Sequence, residues 1–179
     1  FSNGEIATAV LEGFTIFNGT APNGGGIRID SLSSPTIVDN IVVQNESTSE
    51  GGGISCRGGS DATIRKNTIL NNQVNGVTWY GSGGGLHCFA SSPTVCNNLF
   101  VGNFASYRGG GLCIDAGSMP VVANNIVCEN LAEWGAGIQC QSTGVPLIVC
   151  CTIVANHASD RGGALELRDN VSADVFNTI

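Results

Sequence analysis

The chain has 179 residues, enough for one domain, with a formal net charge of -7 and a single Lys, Lys66. A phosphate-reading surface needs clustered Lys and Arg, and a membrane span needs roughly 20 consecutive apolar residues; neither is present, which argues against nucleic acid and against direct membrane insertion. The 26 Gly follow no G-x-Y period, and an apolar share of 42% with only 12% charged residues favours a packed fold over collagen or disorder.

In chain order, residues 1–23 supply the back part of a repeating unit. Gly24–Gly26 with Ile27 then opens the first complete one. The same block returns as Gly51–Gly53 with Ile54, Gly83–Gly85 with Leu86, and Gly109–Gly111 with Leu112. Weaker copies follow as Gly135-Ala136-Gly137-Ile138 and Gly162-Gly163-Ala164-Leu165. The starts are 27, 32, 26, 26 and 27 residues apart, which is a solenoid period.

Within each unit the apolar residues alternate. Ile27 and Ile29, Ile54 and Cys56, Leu86 and Cys88, Ile138 and Cys140, and Leu165 and Leu167 are spaced by two, as in a strand with one buried face. A second inward row runs Leu11, Ile37, Ile64, Val95, Val122, Ile148 and Val175. A third runs Ile16, Val42, Ile69, Phe100, Val127 and Ile153. The pattern predicts an all-β, right-handed parallel β-helix with three short strands per coil and about 26–32 residues per coil. Residues 1–179 form a single domain of five full coils between two partial end coils. The whole is expected to be a fragment of a longer chain, with flanking coils or caps as partners. The residues between the first-row apolar pairs, Arg28, Ser55, His87, Gln139 and Glu166, are expected to face solvent.

Asn40, Asn67, Asn98 and Asn125 share one position, and Asn45, Asn72, Asn103, Asn130 and Asn156 another. Stacked Asn side chains can bond along the axis, and Asn tolerates left-handed backbone angles, so these predict structural ladders at the turns. Cys151 interrupts the first ladder and Phe14 opens it. Cys56, Cys88 and Cys140 are expected to be buried, reduced small hydrophobes, with a Cys56–Cys88 disulfide as the alternative, whereas Cys96, Cys113 and Cys128 look more exposed or turn-associated. The glycine triplets lack the G-K-[ST] tail of a phosphate loop, and serve close approach of coil to coil.

The turn before each glycine block varies most. The second full coil is longer there and holds Val77-Thr78-Trp79-Tyr80. Tyr107-Arg108 and Glu133-Trp134 fall at nearly the same azimuth, with Glu50 before and Asp160-Arg161 after. Trp79, Tyr80, Tyr107, Arg108, Glu133 and Trp134 are therefore the candidate binding residues for a glycan or protein partner. The competing reading is that the rings pack on each other and cover the turns. Glycosidic chemistry needs two facing carboxylates, for which Glu133 with Asp160 and Glu50 with Asp61 are candidate pairs. Arg28, Asp30, Arg57 and His87 could line a polar groove beside the first row. No catalytic residue is assigned, and with two His and no C-x2-C spacing neither a metal site nor a cofactor is expected.

The strings LEGFTIFNG at 11–19, SSPTIVDNIVVQN at 33–45 and GGGLHCFASSPTVCNNLFVGN at 83–103 resemble secreted bacterial right-handed parallel β-helix repeat proteins of the pectate-lyase-like superfold. GGAL at 162–165 and FVGN at 100–103 are similar to polymorphic outer membrane protein repeats. The resemblance implies an extracellular or cell-surface location. It implies a structural or adhesive segment that binds carbohydrate or protein, or alternatively a polysaccharide-active lyase or glycoside hydrolase domain. No catalytic motif of those enzymes is matched here.

Overall fold

The architecture comes from a computed structural model that describes residues 1–77 and 81–178. Every described strand pairs in parallel with the equivalent strand of the next coil, about 27 residues along the chain. The result is a right-handed β-solenoid. The three expected inward rows are the cores of three sheets. Sheet one starts at Val10–Glu12 and adds Thr36–Val38, Thr63–Arg65, Thr94–Cys96, Val121–Ala123, Leu147–Val149 and Asp174–Phe176. Sheet two runs from Thr15–Phe17 to Thr152–Val154, and sheet four from Ile27–Ile29 to Leu165–Leu167.

A further sheet, the third in coil order, lies between them. Its strands run from Thr20–Asn23 through Glu46–Glu50, Gln73–Val74, Phe104–Ala105 and Leu131–Trp134 to His157–Arg161. Its inward residues are small: Ala21, Ser47 and Val74 align in register, and Ala105 and Ala132 are buried. Such side chains leave no apolar alternation to read, which is why three rows are visible in the sequence and four sheets are formed.

The core is one continuous column. Ile37, Ile64, Val95, Val122 and Ile148 are fully buried from sheet one, and Val42, Ile69, Phe100 and Val127 from sheet two. Ile54, Cys56, Leu86, Cys88, Ile138 and Cys140 complete it from sheet four. No single coil encloses these side chains, so the stability of each depends on its neighbours.

Both Asn ladders form. The backbone N–H of Asn45 donates to Asn72 Oδ1 at 3.0 Å, Asn72 to Asn103 at 3.0 Å, Asn103 to Asn130 at 2.9 Å and Asn130 to Asn156 at 3.0 Å. Each amide also donates to a strand carbonyl, as from Asn103 Nδ2 to Ile69 O at 2.9 Å. The left-handed angles belong to the residue before the ladder, not to the ladder Asn. Asp39, Lys66, Asn97, Asn124 and Cys150 precede the first ladder position with φ between 54° and 57°. At the end of that ladder the Cys151 thiol donates to Val122 O at 3.5 Å, replacing the amide.

The glycine blocks do two jobs. Gly83 has φ 72°, and a Cβ on Gly84 would stand 2.5 Å from the carbonyl oxygens of both Gly110 and Phe104. The first glycine makes the turn, and the second lets the next coil approach.

Candidate ligand-binding face

The outward residues of sheet four form an unbroken row. Arg28, Ser55, His87, Cys113, Gln139 and Glu166 pair in register across six coils. Arg28 at the end of the row is exposed as expected, but the middle of the row is not. Ser55, His87, Cys113 and Gln139 are at most 1% exposed. The reason is that long side chains from two flanking rows close over them. On the entry side, Glu50, Ser82, Arg108, Trp134 and Arg161 are aligned from coil to coil. On the exit side stand Arg57, Phe89 and Asp115. Gln141 and Arg168 continue that row, their N–H groups bonded to the preceding coil at 2.9 Å each.

Two clusters occupy this face. In the first, Arg57 Nη1 lies 3.3 Å from Glu50 Oε2, and its guanidinium is 5.5 Å from the Phe89 ring centre. His87 Nδ1 is 3.4 Å from the same Glu50 oxygen, an ion-pair distance, and the imidazole is 6.1 Å from the Phe89 ring. Burial pushes the Glu50 carboxyl up, but the hydrogen bond and charge of His87, with Arg57, outweigh it and leave the carboxyl below its ordinary range.

The second cluster centres on Trp134. Tyr107 packs on it with ring centres 4.5 Å apart, and both rings are buried, at 7% and 9% exposure. Guanidinium carbons of Arg161, Arg168 and Arg108 lie 4.4, 4.5 and 5.6 Å from the indole centre. Trp134 Nε1 donates to Asp160 Oδ2 at 2.7 Å. Arg108 donates to Gln141, which donates in turn to Asp115. Burial raises the Glu166 carboxyl even though three guanidinium groups act in the opposite direction.

Of the sequence candidates, Tyr107, Arg108 and Trp134 therefore come together, but as a packed and cation-covered cluster, not as exposed rings. Glu133 points away from it, into a shallow groove of about 450 Å³ shared with Phe104, Leu131, His157 and Asp160. Trp79 and Tyr80 lie outside the described residues. Of the two candidate carboxylate pairs, Glu133 and Asp160 line that groove together, whereas Glu50 and Asp61 have separate partners. Glu50 bonds within the His87 cluster, while Asp61 accepts from Ser92 N at 2.9 Å. Cys113, expected to be exposed, is fully buried, and its thiol donates to Gln139 Oε1 at 3.2 Å. Sequence reading missed the burial of Ser55, Cys113 and Gln139 because a strand's outward positions look solvated when read one strand at a time. The repeated polar register was the available signal.

Several buried polar atoms on this face have no hydrogen-bond partner: Ser55 Oγ, both His87 ring nitrogens, Arg108 Nε, Glu166 Oε2 and Arg168 Nη1. Buried polar groups are ordinarily satisfied, so these atoms set the face apart from the other sheets.

Fold and face together define a right-handed parallel β-helix with a polar outer groove. Residues 12–136 match the model of the family described as periplasmic copper-binding protein (NosD), and the chain belongs to that family. That description gives the family an extracytoplasmic location. No curated protein matches the chain, and no solved structure does.

The family description raises the question of copper. A copper centre needs converging imidazole, thiolate or thioether donors. His87 lies on sheet four, His157 is exposed on sheet three, and Met119 is exposed in a turn. Among the described residues no three His, Cys, Asp or Glu side chains gather closely enough to hold a metal. Burial also lifts the Cys88 and Cys113 thiols far above their ordinary range. Thiolates are the metal-binding form, so the residues present do not fit a copper centre.

Proposed function

We propose that this protein is an extracytoplasmic β-helix binding module, periplasmic or at the cell surface, whose outer face on sheet four takes a glycan. The observation that supports this is the coil-to-coil register of polar residues from Arg28 to Glu166 along one face, flanked by rows that carry Arg57, Phe89, Asp115, Arg108 and Arg161. Successive donors and acceptors at the strand spacing of about 4.8 Å suit a hydroxyl-rich chain lying along the solenoid axis. The Tyr107 and Trp134 rings are packed together and buried, so hydrogen bonding carries recognition there. The role is structural and adhesive. A protein partner would be the competing occupant.

Retention on a broad glycan array tests the reading. Wild type is expected to bind, as is Lys66→Ala on a distant corner. Arg57→Ala combined with Asp115→Ala is expected to lose at least about tenfold, the effect of one or two good hydrogen bonds. A blank array, or equal retention by all three proteins, contradicts the proposal.

One observation favours a second, catalytic reading. The buried His87 imidazole stands with Nδ1 3.4 Å from Glu50 and neither ring nitrogen hydrogen-bonded, an imidazole beside a carboxylate of the kind that general-base chemistry uses. It predicts turnover of a retained polysaccharide that His87→Gln abolishes. Retention without cleavage removes it.

A further inference from the structure

The outer face of sheet two differs from those of the other sheets. Its strands pair without a register shift from Thr15–Phe17 to Thr152–Val154, so the outward side chains form two straight rows. One row is Phe17, Val43, Leu70, Val101, Cys128 and Val154. The other carries Ile41, Leu99 and Ile126, with Thr at the remaining coils. None of these positions is charged, in a chain with 14 acidic and seven basic residues. The strand preference for β-branched residues does not account for this, because it acts equally on every sheet. Outward residues of sheet one include Glu12, Arg65 and Asp174, and those of sheet three include Glu46 and His157. Nor does the chain cover the face itself: Phe17, Ile41, Ile126 and Val154 are 57%, 45%, 47% and 52% exposed.

Polar turn residues rim this face on both sides. Asp39, Lys66, Asn97 and Asn124 stand before the strands, and Gln44, Asn71 and Glu129 after them, all exposed and all at positive φ. Contiguous apolar surface with a polar rim marks an interaction site. Six strands about 4.8 Å apart, each with its two rim residues, give a face of about 29 Å by 17 Å, or about 500 Å² on one copy. Two such faces bury about 1,000 Å², the lower size of a specific interface. Sheets without bulges pack face to face about 10 Å apart, so the face is complementary in shape to itself. A half-turn about either in-plane axis through its centre sets Asp39, Lys66 and Glu129 of one copy against side-chain amides of the other. These are Gln44, Asn71 and Asn124 in one orientation, and Asn124, Asn97 and Gln44 in the other. No charge meets its like, which matters for two chains of net charge -7 each. We propose that the outer face of sheet two is a self-association surface, on which a second copy of this chain packs face to face as a weak symmetric dimer. Sheet four is a different side of each coil, so the proposed ligand faces of both copies stay open.

Analytical ultracentrifugation of the full chain from about 1 μM to about 1 mM spans the affinities that an interface of this size gives. Wild type is expected to pass from monomer to dimer within that range. Ile126→Lys puts an unpaired charge into the interface from each copy, and is expected to weaken the dimer at least about tenfold. Ile41→Lys, three coils away on the same row, is expected to act in the same direction. Val121→Lys changes an apolar side chain that is 38% exposed on the outer face of sheet one, and is expected to leave the dimer intact. Unchanged circular dichroism establishes that each variant is folded. Wild type that stays monomeric throughout overturns the proposal. So does equal weakening by the sheet-one and sheet-two substitutions, or no weakening by the latter. Flotation with neutral phosphatidylcholine vesicles covers the other occupant of an apolar face. A monomer that rises with the vesicles assigns the face to a lipid surface and overturns the proposal.

Discussion

At the scale of single residues, stability turns on which polar atoms are satisfied. Asn103 accepts from Asn72 N and donates to both Ile69 O and Asn130 Oδ1. Asn103→Ala leaves a buried N–H and a buried carbonyl unpaired, and is expected to cost about 2–3 kcal/mol in chemical denaturation. A loss below about 0.5 kcal/mol would show that water replaces the ladder. The thiols give a pH prediction. Burial pushes Cys56 up to about 11 and Cys140 up to about 12, from an ordinary value of 9. The unfolded chain therefore releases these protons first. Their contribution is complete below pH 9 and is lost as pH rises through 11 to 12. Denaturation midpoints should fall over that window, and a thiol reagent at pH 8 should label exposed Cys150 well before either buried Cys. Early labelling of Cys56 or Cys140 would contradict the packed core.

At the scale of elements, the sequence shows a strand wherever an apolar side chain points inward. Ile37, Ile64, Val95 and Val122 are spaced by one coil, and their row is legible because burial demands apolar residues there. Sheet three is not legible, because Ala21, Ser47, Ala105 and Ala132 fill a narrow corner that needs only small side chains. The outer face of sheet four is misread for a different reason. Its burial depends on side chains from rows on either side, such as Arg108 and Gln141, and alternation within a strand carries no trace of them. Aligning the candidates by coil did place Arg108 and Trp134 in one row, but could not show that Glu133 alternates away. Element packing also fixes the glycine requirement. Gly84→Ala puts a methyl carbon 2.5 Å from two backbone oxygens of the adjoining coil, and is expected to destabilise by more than about 2 kcal/mol. Unchanged stability would mean that the coils separate freely.

At the scale of the whole molecule, a stack of near-identical coils makes one long face out of short local decisions. Each coil adds one residue to the floor and one to each wall, and binding specificity follows from which residues occupy that shared register. The lower end carries Glu50, Arg57 and His87, and the upper end carries the Trp134 cluster. An extended ligand on the proposed face would contact both, so changes at the two ends should add in free energy when made together. Fold is legible in such a chain because repetition amplifies it, while function resides in the positions that depart from the repeat. The central claim is that sheet four is the ligand face, and backbone hydrogen exchange of the protein with and without a retained glycan tests it most directly. Protection is expected along residues 54–57, 86–89, 112–115 and 138–141, with sheet one unaffected. Protection confined to sheet one or sheet two would contradict the account.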